Sequence, residues 1–242
     1  MDREIYDRMA EVDGHHWWFV ARRRIIAEFL KVHFPVGDAP LRILEIGCGT
    51  GSNLAMLREF GEVEAIEPDS GARRIATDRF DMMIGAGMLP DALGVPDHSY
   101  DLVVMLDVLE HIEDDAAALE QVRRTLKPGG RLLLTVPAMP WLWSSHDVAH
   151  HHFRRYTARR LLGALSAARY TVHHHSYFNT LLFPLICVAR LASWLTGRTG
   201  GDDAMPGTLA NRVLGAIFAS ERAVVSRRSL KIGVSMIAFA EA

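Results

Sequence analysis

Cysteine is scarce in this chain: Cys48 and Cys187 are the two among 242 residues, far apart and without metal-ligand spacing. That excludes a disulfide framework and suits a reducing compartment, so a cytoplasmic protein is expected. The first residues, MDREIYDRMAEVDGHHWW, are charged where a signal peptide would be apolar, and secretion is not expected. Long apolar runs are lacking as well. The longest, Leu181 to Leu195, falls short of the roughly 20 residues a membrane span needs and is interrupted by Pro184 and Arg190. Two readings of it stand: a buried helix, or a helix lying in a membrane interface with Trp194 and Arg190 at its edge. Nor is there a charge imbalance. A formal net charge of -2 offers no basic stripe for a nucleic acid. Repeats and low-complexity linkers are missing too, and one domain spanning 1–242 is the expectation at this length.

What the sequence does contain is a regular alternation of strand-like and helix-like segments from Leu41 onward. Leu41–Ile46 reads as a strand entering a glycine turn, Ser52–Phe60 as a helix, Val63–Glu67 as a strand, Ser70–Arg79 as a helix and Met82–Ile84 as a brief third strand. Asp101–Leu106 is apolar at successive positions, as in a strand covered by helices on both faces. Ile112, Ala116, Leu119, Val122 and Leu126 then share one helix face, and Lys127-Pro128-Gly129-Gly130 ends that helix before a strand at Leu132–Val136. Such repeating units imply a doubly wound α/β fold with right-handed crossovers. A helix follows Thr157, then a strand at Tyr170–Phe178, an apolar helix at 179–197, a helix near Thr208–Ser226 and a last strand at Lys231–Phe239. Residues 1–40 hold a helix at Trp17–Phe34, 41–137 form one half of the domain and 138–242 the other.

The strongest chemical signal is Leu44–Gly51, LEIGCGTG. Glycines at 47, 49 and 51 let a backbone approach a ligand closely, and the following helix N-terminus offers free N–H groups. The spacing is G-x-G-x-G rather than the dinucleotide G-x-G-x-x-G, and Glu45 beside it suits a ligand bearing an ammonium group. Glu67 ends the second strand about twenty residues on, where a carboxylate can accept hydrogen bonds from both ribose hydroxyls. These residues, with Gly85–Asp115 and Leu126–Pro137, resemble class I S-adenosylmethionine-dependent methyltransferases over roughly Leu41 to Pro137.

The resemblance implies a mostly parallel seven-stranded sheet of order 3-2-1-4-5-7-6, strand 7 antiparallel, with helices on both faces. It implies S-adenosyl-L-methionine as cofactor, held by Glu45, Gly47, Cys48, Gly49, Thr50, Gly51, Glu67 and Pro68, with Met88 and Leu89 flanking the adenine. Many members place an aspartate before that pair; Ala86 and Gly87 stand here, leaving the contact to backbone or apolar packing. Asp107 would lie beside the sulfonium. Asp107, Glu110 and His111 fall at i, i+3 and i+4, and His111 is the candidate general base because an imidazole takes a proton near neutral pH. The same three residues suit a divalent ion, and some quinone-pathway methyltransferases of this fold carry a similar run, but no metal is expected.

Pro137–Thr157, PAMPWLWSSHDVAHHHFRRYT, resembles a subgroup with a P-A-x-x-x-L-W-S-x-H-D segment followed by H-x-R-R-Y-T, often associated with glycan or lipid pathways. That implies acceptor contacts from Trp143, His146, His152, Arg154, Arg155 and Tyr156. The two arginines have a second reading as salt-bridge partners of the acidic helix. At the N-terminus, Trp17, Trp18 and Phe19 are expected to close over the donor as a lid, with Arg22 or Arg23 facing the site. The expected activity is transfer of a methyl group to an oxygen or nitrogen of a small-molecule, glycan or lipid-linked acceptor. A nicotinamide-dependent oxidoreductase and a catalytically silent donor-binding subunit are the competing readings.

Overall fold

Burial along the strands alternates between two sets of neighbours, which is what a sheet covered on both faces requires. Leu44, Ile46, Val103, Met105, Leu132 and Leu134 point to one apolar cluster, whereas Ile43, Leu102, Val104 and Leu133 point to a second. A computed structural model describes residues 3–34, 40–196 and 205–242. Residue 197 of the apolar helix, and positions 1–2 and 35–39 of the N-terminal segment, lie outside them.

In chain order the helices are α1 (Arg3–Val12), α2 (Trp17–His33), α3 (Leu54–Leu57), α4 (Ser70–Phe80), α5 (Asp115–Thr125), α6 (Ser145–Ala149), α7 (Ala158–Ala167), α8 (Phe183–Thr196), α9 (Thr208–Ser220) and α10 (Arg222–Val225). The strands are β1 (Leu41–Ile46), β2 (Gly61–Ile66), β3 (Tyr100–Leu106), β4 (Leu126–Pro137), β5 (Thr171–Phe178) and β6 (Ser235–Glu241). They form one sheet of order β2-β1-β3-β4-β6-β5, parallel from β2 to β4, with β6 antiparallel to both neighbours. This is the expected doubly wound α/β layout with six strands in place of seven. The segment assigned to a third strand, Met82–Ile84, pairs through a single bridge between Ile66 and Gly85. Met83 is 91% exposed, and the following Gly85-Ala86-Gly87 has little to bury against a sheet edge, so no ladder propagates.

Residue chemistry explains the helix ends. Asp69 accepts from the Ala72 N–H, Asp114 from Ala117 and Thr157 from Arg160, so α4, α5 and α7 each begin on a side-chain cap. Ser144 and Asp147 cap α6 reciprocally. Among the described residues no helix is long and apolar enough to cross a membrane.

The N-terminal segment differs from a detachable lid. Ala21, Ile25, Ile26, Phe29 and Leu30 of α2 are buried against β1, β3, β4 and β6, and α2 also packs on α9 and α10. Only its first turns reach the site described below. If α2 is core, Phe29→Ala lowers the unfolding free energy by about 3–5 kcal/mol in urea titrations, whereas Met83→Ala changes it by under about 0.5 kcal/mol. Equal midpoints for the two variants would return α2 to the status of a removable cover.

Candidate active site

The carboxyl ends of β1, β2 and β3 open into one cavity of about 600 Å³, floored by the glycine turn. In doubly wound sheets this edge is where the strand order reverses and ligands bind. The turn needs its glycines for two different reasons. Gly47 and Gly51 hold φ of 70° and 85°, and a Cβ would meet Val108 at 2.6 Å or Phe80 at 2.7 Å. Gly49, at φ 55°, would point a Cβ into open space, because this glycine faces the cavity.

Glu67 sits across the turn from this opening and is nine-tenths hidden from solvent. Its two carboxylate oxygens accept N–H bonds from Gly49 (2.9 Å) and Asp69 (3.0 Å). Burial raises its pKa against those two bonds, and the Tyr6 hydroxyl of α1 hydrogen-bonds it from above. The carboxylate is thus fixed in one orientation with acceptor capacity left for a diol.

Cys48, Thr50, Pro68, Met88 and Leu89 line the same space beside Gly47, Gly49 and Glu67. Gly51 supports the turn from behind. Glu45 lies beneath it, 1% exposed and outside the cavity wall. Burial pushes its carboxyl up to about 7, while Oε1 accepts from Asn53 Nδ2 at 2.9 Å. Glu45 therefore acts on the cavity through Asn53, which does line it. That contact is a correction to a direct carboxylate–ammonium pairing.

The waist of the cavity is built from three elements. Arg22 of α2 pairs with Asp107 Oδ2 at 2.6 Å and donates to Thr135 Oγ1 at 2.8 Å, and Thr135 donates to Asp107 Oδ1 at 3.1 Å. Asp107 is held in the left-handed region at φ 58°, a conformation that an aspartate adopts more readily than bulkier residues. Trp18 stacks over the Arg22 guanidinium at 5.0 Å. His16, Trp17, Trp18 and Phe19 line this part of the cavity, whereas Arg23 turns away to the Asp13 carbonyl.

Beyond the waist, His111, His146, His150 and His152 converge with Arg155. Burial and then the neighbouring His152 and His150 lower the His111 pKa to about 3, so its imidazole is neutral and a weak base. Arg155 is committed to Asp147 Oδ1 at 2.7 Å and to the Ala138 carbonyl. Burial alone would raise the Asp147 carboxyl, but bonds from His152 and Arg155 outweigh it and hold it well below the usual range.

Three expected acceptor residues lie off the cavity. Trp143 is 43% exposed on the turn before α6. Arg154 pairs with Asp115 at 3.0 Å and reaches the Glu113 carbonyl, taking the salt-bridge reading. Tyr156 is fully buried and donates to the same Asp115 at 2.9 Å. In their place stand residues that the sequence did not single out, Tyr6 and Met9 of α1, Asn53, Asn179, Ser235 and Ile186 of α8, together with His150 and Arg190.

A protein family described as a methyltransferase domain matches residues 18–175 of the chain. Relatives include a demethylmenaquinone methyltransferase of Symbiobacterium thermophilum, 28% identical over 57% of this chain and 57% of that protein. A trans-aconitate 2-methyltransferase of Azoarcus sp. is 28% identical over 64% of this chain and 61% of its own length. A ubiquinone biosynthesis O-methyltransferase of Cereibacter sphaeroides is 31% identical over 46% and 47%. The chain thus spans less than two thirds of the length of these relatives. Among solved structures, a Haloferax volcanii methyltransferase in complex with the Trm112 methyltransferase activator superposes at a TM-score of 0.61, with 18% identity over 99% of this chain and 96% of that one. A Haemonchus contortus phosphoethanolamine N-methyltransferase in complex with S-adenosyl-L-methionine superposes at 0.58, with 18% identity over 88% and 51%. These likenesses establish the fold, and the glycine turn facing Glu67 fits a nucleoside. With its domain matched over residues 18–175, more than half of its length, the chain belongs to the methyltransferase-domain family.

Proposed function

We propose that this protein transfers a methyl group to an oxygen or nitrogen of an acceptor that enters over the histidine cluster and carries an apolar, lipid-like portion. The observation that carries this reading is the continuity of the cavity. A single space joins Glu67 and the glycine turn to His111, His146 and His152, with Asp107 between them. Its volume falls within the range of about 300–1,000 Å³ common for small-molecule sites. When bound, S-adenosylmethionine supplies a methyl group on a positively charged sulfur, already activated for displacement.

The chain's own residues then contribute alignment and dryness. Glu67 orients the ribose through its two fixed oxygens. Asp107 presents its carboxylate at the waist, held by Arg22 at 2.6 Å. Trp17, Trp18 and Phe19 exclude water on the α2 side. His111 is neutral, so it accepts a hydrogen bond from an acceptor hydroxyl or amine without adding positive charge near the donor. Relatives named as O-methyltransferases support oxygen as the acceptor atom.

α8 supports the apolar portion. Ile186 and Ala189 face the cavity, while Leu185, Val188, Leu191, Trp194 and Leu195 of the same helix are exposed. That arrangement favours a helix resting on a membrane surface and feeding the cavity from its inner side.

Calorimetry tests the donor half. Glu67→Ala is expected to weaken S-adenosylmethionine binding about 30- to 150-fold, the loss of one or two hydrogen bonds to a charged group. Gly49→Leu should abolish binding, since its side chain enters the cavity. Unchanged affinity in both variants, or tighter binding of NAD by the native chain, would sink the assignment of the site.

Glu45 makes a separate prediction. Its folded-state pKa is raised, so the folded protein loses stability as pH climbs from the ordinary carboxylate value through about 7. Glu45→Gln keeps the shape without the charge. The variant is expected to melt higher than the native chain at pH 8, by about 1–3 kcal/mol in stability, and to match it near pH 4.5. A constant difference across that range would contradict the burial argument.

Flotation tests the α8 reading. With vesicles of phosphatidylcholine and phosphatidylglycerol, the native chain should float and Leu191→Glu/Trp194→Glu should not. Equal partitioning of the two would remove the membrane surface from the proposal.

A further inference from the structure

The histidine end of the cavity holds a polar group that has no partner. Glu110 is 0% exposed, and both of its carboxylate oxygens are buried without a hydrogen bond. Buried carboxylates elsewhere in the chain are satisfied on at least one oxygen: Glu45 by Asn53, Glu67 by two N–H groups, Asp147 by Arg155 and His152. A buried carboxyl with neither oxygen hydrogen-bonded is costly unless something binds it. Asp107 is no such partner, because its own oxygens are taken by Arg22 and Thr135.

Two imidazoles stand beside it. Ligand atoms of Glu110, His111 and His152 all lie within 4.8 Å of one another. The two rings meet edge to face, with centroids 4.6 Å apart. Each imidazole has a partner outside this group. His152 Nδ1 meets Asp147 Oδ1 at 3.0 Å, the kind of carboxylate partner that orients a metal-ligating imidazole. His111 donates to the main-chain carbonyl of His150. The bond at Nδ1 leaves the Nε2 of His152 as the nitrogen available to an ion. Asp147 is itself locked by Arg155 Nε and the Ser144 N–H, and the Phe153 N–H bonds the Glu110 carbonyl at 2.8 Å. The loop carrying His152 is thereby fixed against Glu110.

We propose that Glu110, His111 and His152 form a binding site for a divalent first-row transition ion, such as manganese, iron or zinc, at the acceptor end of the cavity. Two nitrogens and one carboxylate favour these ions over magnesium or calcium, which prefer oxygen alone. Bonds of about 2.0–2.2 Å would draw the three ligand atoms to about 3–4 Å apart, a small side-chain adjustment from where they stand. Three protein ligands leave coordination positions open toward the cavity, where an acceptor oxygen would bind. Arg22 and Arg155 border the carboxylate but are both committed to other anions. The sequence offered Asp107 with Glu110 and His111; the structure replaces Asp107 by His152, forty-one residues after His111. Occupancy of the site stands on its own geometry, while its role in acceptor binding rests on the methyl-transfer reading.

The test uses the whole chain stripped with a chelator, titrated with manganese alone by electron paramagnetic resonance and with cobalt alone by visible absorption, in the absence of methyl donor. One equivalent is expected to bind, with cobalt bands of a nitrogen-ligated site. His152→Asn and Glu110→Gln should each weaken binding at least about 100-fold, and Asp147→Asn about 10- to 100-fold by freeing the His152 ring. Glu113→Gln, on the exposed side of the same turn, should have no effect. S-adenosylmethionine affinity, measured in parallel, reports that each variant is folded and separates failure of the metal site from failure of the donor site. No saturable binding in the native chain, or equal manganese affinity in native, His152→Asn and Glu110→Gln proteins that all retain donor binding, would overturn the proposal.

Discussion

The ion pair between Arg22 and Asp107 is the constraint on which the site depends. It joins a helix that precedes the sheet in sequence to the turn that leaves β3, and Thr135 on β4 closes the triangle. Arg22 is 4% exposed, so the pair sits in a medium that strengthens its attraction and makes either partner costly to leave alone. Three consequences follow. The left-handed backbone at Asp107 is held by an interaction strong enough to offset its strain. The first turns of α2 are pinned above the glycine turn, which sets the width of the cavity. And Asp107 is committed to Arg22 and Thr135, while neither Glu110 oxygen has a hydrogen-bond partner.

Packing on both faces of the sheet is the background that makes such precision available. The alternate residues of β1, β3, β4 and β6 divide between two apolar clusters, and the strand ends that remain point to one edge. Functional residues come from many different elements there, and few are held by local structure alone. Each is oriented by a partner from elsewhere: Glu67 by the Gly49 N–H, Asn53 by Glu45, His152 by Asp147.

That dependence decides how much could be read from the chain. Gly47 and Gly51 were legible because their constraint is local: a left-handed bend with no room for a Cβ appears in the sequence as glycine. Glu67 was legible because its place at a strand end follows from the length of one strand–helix unit. The parallel part of the sheet follows from the alternation, its strand order was implied by the family resemblance, and Met82–Ile84 failed as a strand because three residues before a glycine-rich stretch have nothing to bury. By contrast, Trp143, Arg154, Arg155 and Tyr156 share one short segment, and their directions are set by distant partners. Asp115 draws Arg154 and Tyr156 outward while Asp147 draws Arg155 inward. No spacing rule distinguishes those outcomes. Tyr6 and Met9 left no signal, since α1 is an ordinary amphipathic helix until it is placed above Glu67.

The position of α1 has a bearing on molecular traffic. α2 is woven into the core and cannot swing aside without unfolding the sheet it covers, whereas α1 touches α4 and is joined to α2 through Gly14, whose surroundings are empty. The short first helix closes over Glu67 through Tyr6, and its far end is tied to α4 by the Asp13–Arg79 ion pair at 2.9 Å, so this side of the cavity is covered by one small element held at two points.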